Sequence, residues 1–178
     1  MIARSAVISP DELYRYLLVR KWGMGGKRLI VVGLNPSTAD AITDDATIKL
    51  LTRMAIRYGF SELRMLNLFA FRATEPKVMR AAENPVGPKN EEYLEREMSN
   101  LNGNDRVLLM WGAHGNHRNE ANRVMEKLRA NPEVFCRVMT IGLTSSGQPR
   151  HVLYTRETVV MHPVSLYQTE NVERLENF

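Results

Sequence analysis

The feature that most constrains the fold of this chain is an apolar, β-branched run that ends abruptly in loop-forming residues. Residues 28–32 read Arg-Leu-Ile-Val-Val and are followed at once by Gly33-Leu34-Asn35-Pro36-Ser37. Such a run is typical of a buried strand that ends in a tight loop. In α/β proteins, the loop at the carboxyl end of a parallel strand is where ligands bind.

Three later apolar runs also end in polar residues that a core does not need. The run over residues 65–69 contains Asn67, and the run over residues 107–110 leads into Trp111-Gly112-Ala113-His114-Gly115. The run over residues 138–143 leads into a polar loop that ends in Arg150 and His151. Because the carboxyl ends of parallel strands meet at one edge of a sheet, we expect the four strand ends to converge on one site.

Hydrophobic periodicity predicts strands that alternate with helices. The predicted strands cover residues 27–34, 63–68, 106–111 and 134–143. The predicted helices cover residues 9–21, 44–58, 75–82, 88–101 and about 121–130, the first begun by the capping-box pattern of Ser9 and Glu12 and the second capped by Asp44 or Asp45. Alternation of this kind predicts a three-layer α/β/α fold with about four central, mostly parallel strands. Residues 158–161 are a further candidate strand, and residues 164–178 a final helix or a loosely attached tail.

Length and composition favour a single domain over residues 1–178, with the motifs in residues 12–154 and a C-terminal extension over residues 155–178. No apolar stretch approaches the roughly 18 residues that span a membrane, and the first nine residues lack the apolar centre of a signal peptide. We therefore expect a cytoplasmic protein without membrane contact. A single cysteine, Cys136, excludes an internal disulfide and an iron–sulfur cluster held by several thiolates.

The charge pattern is compatible with a phosphate-bearing partner. The chain has 24 Lys and Arg against 20 Asp and Glu, a net charge of +4. Arg72, Arg118 and Arg150 each follow a predicted strand end, which favours anion binding because arginine pairs well with phosphate. We therefore predict a nucleic acid or a nucleotide as partner. No GxGxxG follows any strand, so no nicotinamide cofactor is expected, and no metal or other cofactor is predicted.

Several motifs are similar in order and spacing to those of domain-of-unknown-function family 1643, an uncharacterised family of bacteria and phages. They are GLNPSTAD, NLFAFRAT, NPVGPKN, WGAHG and GLTSSGQPRH, and they cover roughly residues 12–154. More distantly, the order of a GxNP loop, an Asn-bearing strand end, a Gly-Ala turn and a His-bearing loop resembles the uracil-DNA glycosylase superfamily.

That second resemblance implies a uracil-DNA glycosylase-like fold and hydrolysis of an N-glycosidic bond. The loop Gly33-Leu34-Asn35-Pro36 resembles the GINP form, which places Asn35 at the attacking water. Asn67 matches the residue that reads the base, and His151 matches the one that holds the departing base, although Val152 follows where the motif has Pro. The other predicted ligand contacts are Asp40 beside the water, Phe69 or Phe71 stacked on the base, and Ser37 and His114 in the binding loops.

Each of these residues also has a structural interpretation. Asn before Pro is common in turns, and Asp40, Asp44 and Asp45 precede a helix that any of them can cap. His114, between small residues, is also compatible with a turn. Asn67 is the exception, because an amide inside an apolar strand end is costly to bury without partners. The two hypotheses are thus a glycosylase-like hydrolase or nucleotide-processing enzyme that recognises a nucleobase in DNA or in a nucleotide, and a non-catalytic module that binds a base or a nucleic acid on the same fold.

Overall fold

The computed structural model describes residues 2–155 and 158–167. Over these residues the chain forms a mixed α/β fold with one seven-stranded sheet and five α-helices. The strands are β1 (Ala3–Ile8), β2 (Arg15–Lys21), β3 (Arg28–Gly33), β4 (Glu62–Asn67), β5 (Arg106–Leu109), β6 (Val138–Thr140) and β7 (His162–Pro163). The helices are α1 (Ala46–Arg57), α2 (Pro76–Ala81), α3 (Asn90–Ser99), α4 (Glu120–Arg129) and α5 (Pro132–Phe135).

The strand order is β1-β2-β4-β3-β5-β6-β7, and the sheet is mixed. β3 pairs in parallel with β4 and β5, and β5 pairs in parallel with β6. The pairs β1–β2, β2–β4 and β6–β7 are antiparallel. The predicted α/β class is confirmed. The sheet is wider than the four strands expected, because β1 and β2 extend one edge and β7 extends the other, each in antiparallel pairing.

The register brings the ends of the central strands together. Gly33 is the last residue of β3 and pairs with Asn67, the last residue of β4. On the other side of β3, Val32 pairs with Leu109 at the end of β5. The loops that follow these three strands therefore leave the sheet at the same edge, where the polar residues after each strand can surround one space.

Both faces of β3 are covered, which explains its unbroken apolar sequence. Leu29 and Val31 belong to a core that contains the buried residues of α1. Ile30 and Val32 face the opposite side, in a core that also contains buried residues of α3 and α4. Because β3 is covered on both faces, the residues available to contact a ligand begin only after its end.

The predicted second helix is confirmed as α1, with Asp45 as its N-cap. The Asp45 side chain accepts a hydrogen bond from the amide of Ile48 at 2.8 Å, as expected for a capping carboxylate. The apolar positions that the sequence placed at helical spacing are buried, namely Ile48, Leu51, Met54 and Ala55. The predicted helices after β4 and β5 are also present, as α2, α3 and α4.

The predicted helix over residues 9–21 is wrong. A turn forms instead, in which the Asp11 carboxylate accepts from the Leu13 amide at 3.1 Å, and β2 begins at Arg15. β2 lies between β1 and β4 and is buried on both faces, including Arg15 and Arg20. A strand buried on both faces lacks the two-residue alternation that identifies a strand in a sequence. The capping-box pattern of Ser9 and Glu12 therefore favoured a helix over residues 9–21 instead.

The C-terminal part also differs from expectation. The predicted strand over residues 134–143 begins too early, because Asn131 caps the short helix α5 and β6 is limited to Val138–Thr140. The predicted strand over 158–161 is displaced to β7 at His162–Pro163. Most of the helix or tail expected over 164–178, namely residues 168–178, lies outside the described residues. Within the described ranges, no helix has the length and apolar character needed to cross a membrane.

Candidate functional site

A cavity of about 670 Å³ lies at the sheet edge where β3, β4 and β5 end. Its walls come from the loops after these strands, from the first turn of α1 and from the loop after β6. The predicted site residues that line it are Leu34, Asn35, Ser37, Asn67, His114, Arg150 and His151. The structure thus brings together residues that are more than 100 positions apart in the chain, while their roles stay predictions.

Asn67 is the most unusual residue in the cavity wall. Its side chain is 1% exposed, and neither its Oδ1 nor its Nδ2 has a hydrogen-bond partner among the residues that the structure describes. Leaving a buried polar group unpaired costs roughly 1–3 kcal/mol. An amide that carries two such atoms beside a cavity is suited to pair with a ligand that offers a donor and an acceptor together.

Gly33 makes room for this amide. A Cβ atom at Gly33 would lie 2.9 Å from Asn67 Oδ1 and 2.5 Å from Met65 Cε. Both distances are shorter than a side chain tolerates, so any larger residue at position 33 must displace Asn67 or Met65. Close packing against the neighbouring strand is therefore one reason for a glycine at this position of the GLNP loop.

Asn90 holds the end of β4 in place without lining the cavity. This residue at the start of α3 is 1% exposed, and its Nδ2 donates to the carbonyls of Asn67 at 3.0 Å and Leu68 at 2.9 Å. These two hydrogen bonds anchor the backbone at the last residue of β4 and at the residue that follows it. Asn90 was not predicted as a site residue. The signal available in the sequence was its place at the end of the NPVGPKN motif, which carries part of the family resemblance.

Asn35 ties together the loops after β3 and β4. Its Nδ2 donates to the carbonyl of Ala73 at 2.7 Å and to that of Pro36 at 3.1 Å. The Ala73 amide in turn donates to the Pro36 carbonyl at 2.9 Å. Pro36 is buried within this arrangement and Ser37 lines the cavity beside it. Asn35 therefore shapes the loop while its side chain forms part of the cavity wall.

Arg15 is a cavity residue that sequence reasoning missed. It is 2% exposed, its Nη1 donates to the carbonyl of Ala39 at 2.6 Å, and its Nε has no partner in the described part of the chain. Burial lowers the pKa of Arg15 to about 10, with Asp45 acting in the opposite direction. The signal available in the sequence was an arginine directly before the apolar run of residues 16–19, but the helix predicted over residues 9–21 did not bring it to the sheet.

Asp45 is the carboxylate that lines the cavity. It was predicted only as a possible helix cap, and it is one, but Ala46 and Thr47 of the same first turn line the cavity with it. Its negative charge also acts on Arg15 and on His151, favouring the protonated form of each. Three ionisable side chains from β2, α1 and the loop after β6 thus share one electrostatic environment.

His151 lies in the wall as expected from its motif. Burial lowers the pKa of His151, while the charge of Asp45 raises it less strongly. Its Nδ1 accepts a hydrogen bond from the Leu153 amide at 3.3 Å, so the neutral ring carries its proton on Nε2. A neutral imidazole of this tautomer is a hydrogen-bond donor from Nε2.

The loop after β5 is held in an unusual conformation. Gly112 has φ 70° and ψ −171°, a region open only to glycine, and its amide donates to the Pro149 carbonyl at 2.8 Å. Trp111 closes the cavity wall, with its Nε1 donating to the Gln148 side chain at 2.8 Å. These contacts join the loops after β5 and β6, and they place His114 at the cavity.

Three predicted site residues lie elsewhere. The Asp40 carboxylate accepts from the amides of Ile42 and Thr43, each at 2.7 Å, and these bonds lower its pKa. Phe69 is fully buried in the core, with its ring 5.5 Å from that of His117. Phe71 packs edge-on against the ring of Tyr14, with centroids 5.9 Å apart. Each of the three has a structural role that competes with ligand contact, and Trp111 is the aromatic side chain that lines the cavity.

The three predicted phosphate-binding arginines are also divided. Arg150 lines the cavity, and its Nη2 donates to the Leu143 carbonyl at 2.9 Å. Arg72 donates to the Glu12 carbonyl at 3.0 Å, and Arg118 donates to carbonyls of Glu83 and Ala82 at 3.0 and 3.1 Å. The last two side chains hold loops outside the cavity.

In the described residues, no three His, Cys, Asp or Glu side chains are grouped so that they could hold a metal ion. No curated protein and no solved structure matches the chain. A family model described as Protein of unknown function (DUF1643) matches residues 15–153. This match spans most of the chain and all the strand ends around the cavity, and the chain therefore belongs to the DUF1643 family.

Proposed function

We propose that the cavity recognises a nucleobase, either in a nucleotide or in DNA, and that the protein hydrolyses the N-glycosidic bond of that base. The observation that carries the proposal is the buried, unpaired amide of Asn67. An amide offers one acceptor and two donors, which complement the adjacent donor and acceptor on the edge of a pyrimidine. A base seated against Asn67 would satisfy both atoms that the protein leaves unpaired.

The other cavity residues supply what such a hydrolysis needs. As the bond breaks, the sugar gains oxocarbenium character and the base leaves as an anion, so a positioned water and a hydrogen-bond donor to the base are both useful. Asn35 and Asp45 are the proposed holders of the water, and Asp45 is proposed instead of Asp40 because Asp45 lines the cavity. His151 is the proposed donor to the departing base. Trp111 is the proposed stacking surface.

The likeness to the uracil-DNA glycosylase superfamily belongs to this proposal. The order of the GxNP loop, the Asn-bearing strand end and the His-bearing loop motivates it, and these three segments line one cavity. The placement of α1 against one face of β3 and of α3 and α4 against the other is compatible with the three-layer fold of that superfamily.

The second candidate is a non-catalytic module that binds a base or a nucleic acid on the same scaffold. Two observations favour it: Val152 follows His151 where the glycosylase motif has proline, and the Asp40 carboxylate is engaged by backbone amides of its own loop. Binding of DNA by this module would lose affinity with salt, because each neutralised duplex phosphate releases about 0.9 counterion.

Base release decides between the two candidates. Uracil, hydroxymethyluracil, hypoxanthine and mismatched bases are offered in single strands, in duplexes and as free nucleotides, with and without a chelator. We expect release of a pyrimidine in both conditions. We expect Asn67→Ala to lose binding and turnover together, because the base edge is left unread, and Asn35→Ala to lower turnover while binding persists.

A different outcome would favour the binding module. If wild-type protein binds one of these bases, loses that binding in Asn67→Ala and releases nothing, hydrolysis is excluded and recognition stands. If neither binding nor release is detected for any base, the proposal itself fails. Loss of release on addition of the chelator would contradict the metal-independent mechanism.

A further inference from the structure

We propose that Arg15 and the first turn of α1 form a phosphate site inside the same cavity, so that the ligand is a mononucleotide rather than a free base or a base within a strand. This inference rests on the proposed recognition of a base by Asn67. Its basis is Arg15, a second buried side chain with an unpaired polar atom. Arg15 lies on β2, whereas Asn67 lies on β4.

Arg15 and Asn67 lie at the same end of neighbouring strands. Leu18 of β2 pairs with Met65 of β4 in antiparallel orientation, and the two chains continue beyond this pair to Arg15 and to Asn67. The Arg15 amide donates to the Ala70 carbonyl at 2.9 Å, which keeps β2 beside the loop after β4. Both side chains line the cavity, one offering an amide and the other a positive charge.

The charge of Arg15 is only partly compensated. In the described part of the chain its side chain donates to one neutral carbonyl, that of Ala39, and its Nε has no partner. Asp45 and Asp40 favour its charged form, whereas Arg72 and Arg20 oppose it. Asp40 accepts two backbone amides at its Oδ1, and among the described residues no hydrogen bond or ion pair joins Asp40 to Arg15. A guanidinium buried in this way gains from an anion that accepts from its free N–H.

The first turn of α1 adds a second source of anion affinity. Ala46, Thr47 and Ile48 line the cavity at the N-terminus of a 12-residue helix, where the helix dipole and unpaired amides favour negative charge. The Asp45 cap occupies the Ile48 amide at 2.8 Å, which leaves the preceding amides of the turn for a ligand. Asp45 itself opposes an anion, so the site is expected to bind phosphate with moderate strength.

Burial favours a terminal phosphate over one inside a strand. Arg15 is 2% exposed, and a phosphodiester must leave its phosphate in two directions, whereas a phosphate monoester needs only one connection. The monoester also carries the larger charge, close to −2 at neutral pH. A nucleoside monophosphate with its base at Asn67 and its phosphate at Arg15 uses both groups.

The test compares matched pairs of pyrimidine nucleosides and their 5′-monophosphates by calorimetry, with inorganic phosphate and a short single-stranded oligonucleotide as further probes. For wild-type protein we expect the monophosphate to bind at least about tenfold more tightly than the nucleoside, as suits a charge-assisted contact. Arg15→Gln should abolish this preference and leave nucleoside binding unchanged. Arg118→Gln is the matched control, because Arg118 lies outside the cavity lining, and it should keep the preference. Arg150→Gln is measured beside it, because Arg150 is the competing arginine of the cavity wall.

Three results would overturn the inference: equal affinity of wild-type protein for nucleoside and monophosphate, loss of the preference in Arg150→Gln instead of Arg15→Gln, or tighter binding of the oligonucleotide than of the monophosphate. Since Arg15→Gln also loses the bond to Ala39 and risks misfolding, Arg15→Lys is measured beside it and should keep part of the preference. Inorganic phosphate, at fixed ionic strength, should raise the melting temperature of wild-type protein. If it does so while no nucleoside or nucleotide binds, the phosphate site stands and the proposed recognition of a base fails.

Discussion

At the scale of single residues, two buried asparagines illustrate how the proposed ligand contact differs from a structural contact. Asn67 and Asn90 are both 1% exposed. Asn90 donates its Nδ2 to the carbonyls of Asn67 and Leu68 and leaves only its Oδ1 unpaired, whereas Asn67 leaves both polar atoms unpaired among the described residues. Polar burial without partners costs stability, and the proposed ligand contact rests on the fact that both polar atoms of Asn67 are unpaired at the cavity.

This contrast predicts opposite consequences of two alanine substitutions. Asn67→Ala removes two unpaired polar atoms and should change the free energy of unfolding by less than about 1 kcal/mol, while abolishing ligand binding. Asn90→Ala leaves two buried carbonyls without a donor and should cost roughly 1–3 kcal/mol. Urea denaturation of the two variants measures both values. A loss of stability in Asn67→Ala as large as in Asn90→Ala would assign Asn67 a structural role.

His151 predicts how stability depends on pH. Because burial lowers its pKa below the ordinary 6.5, the folded chain keeps the ring neutral at a pH where the unfolded chain protonates it. The unfolded state then binds more protons, so stability is present above pH 6.5 and is lost as the pH falls through the lowered pKa. We expect His151→Gln to lose less stability than wild type between pH 7.5 and pH 5.

His117 provides the control for this titration. Its pKa is also lowered, mainly by burial, so it adds a slope of the same sign to both wild type and His151→Gln. Urea denaturation of the two proteins at several pH values gives the difference that belongs to His151. Identical pH profiles would mean that the ring titrates alike in the folded and unfolded chains.

At the scale of elements, the success of the sequence interpretation depends on how many sides of an element are buried. α1 has one apolar face and a capping Asp45, and the sequence identifies both. β2 is buried on both faces and carries two buried arginines, so no periodicity separates it from a helix. Because β2 was predicted as part of a helix, the sequence did not identify Arg15 as a cavity residue.

The capping role of Asp45 is itself testable. Asp45→Ala removes the bond to the Ile48 amide and should lower the free energy of unfolding by about 1 kcal/mol, whereas Asp45→Asn keeps a capping oxygen and should cost a few tenths. If Asp45 opposes a bound anion, Asp45→Asn should also tighten phosphate binding. Weaker phosphate binding in Asp45→Asn would contradict the placement of the phosphate at this helix.

At the scale of the whole molecule, the sequence predicts which strand ends meet but not how the site is completed. Asn35 follows the end of β3 and Asn67 ends the parallel strand β4, so the register brings these two residues to one edge, and His151 reaches the same cavity through the loop after β6. The contributions of Arg15 and Asn90 come from an antiparallel neighbour and from a helix across the sheet edge, and these long-range contacts leave no local pattern. Phe69 and Phe71 illustrate the reverse error, because their place after a strand suggested a ligand and their rings serve packing.

The central claim is that the amide of Asn67 reads a nucleobase. Crystals soaked with uracil, deoxyuridine and deoxyuridine 5′-monophosphate test it most directly, with Asn67→Ala crystals as the control. We predict density for the base in the cavity of the wild-type protein, with Oδ1 and Nδ2 of Asn67 each 2.7–3.2 Å from a polar atom of the base, and no such density in Asn67→Ala. A base bound elsewhere, or a cavity that stays empty with all three compounds, would contradict the claim.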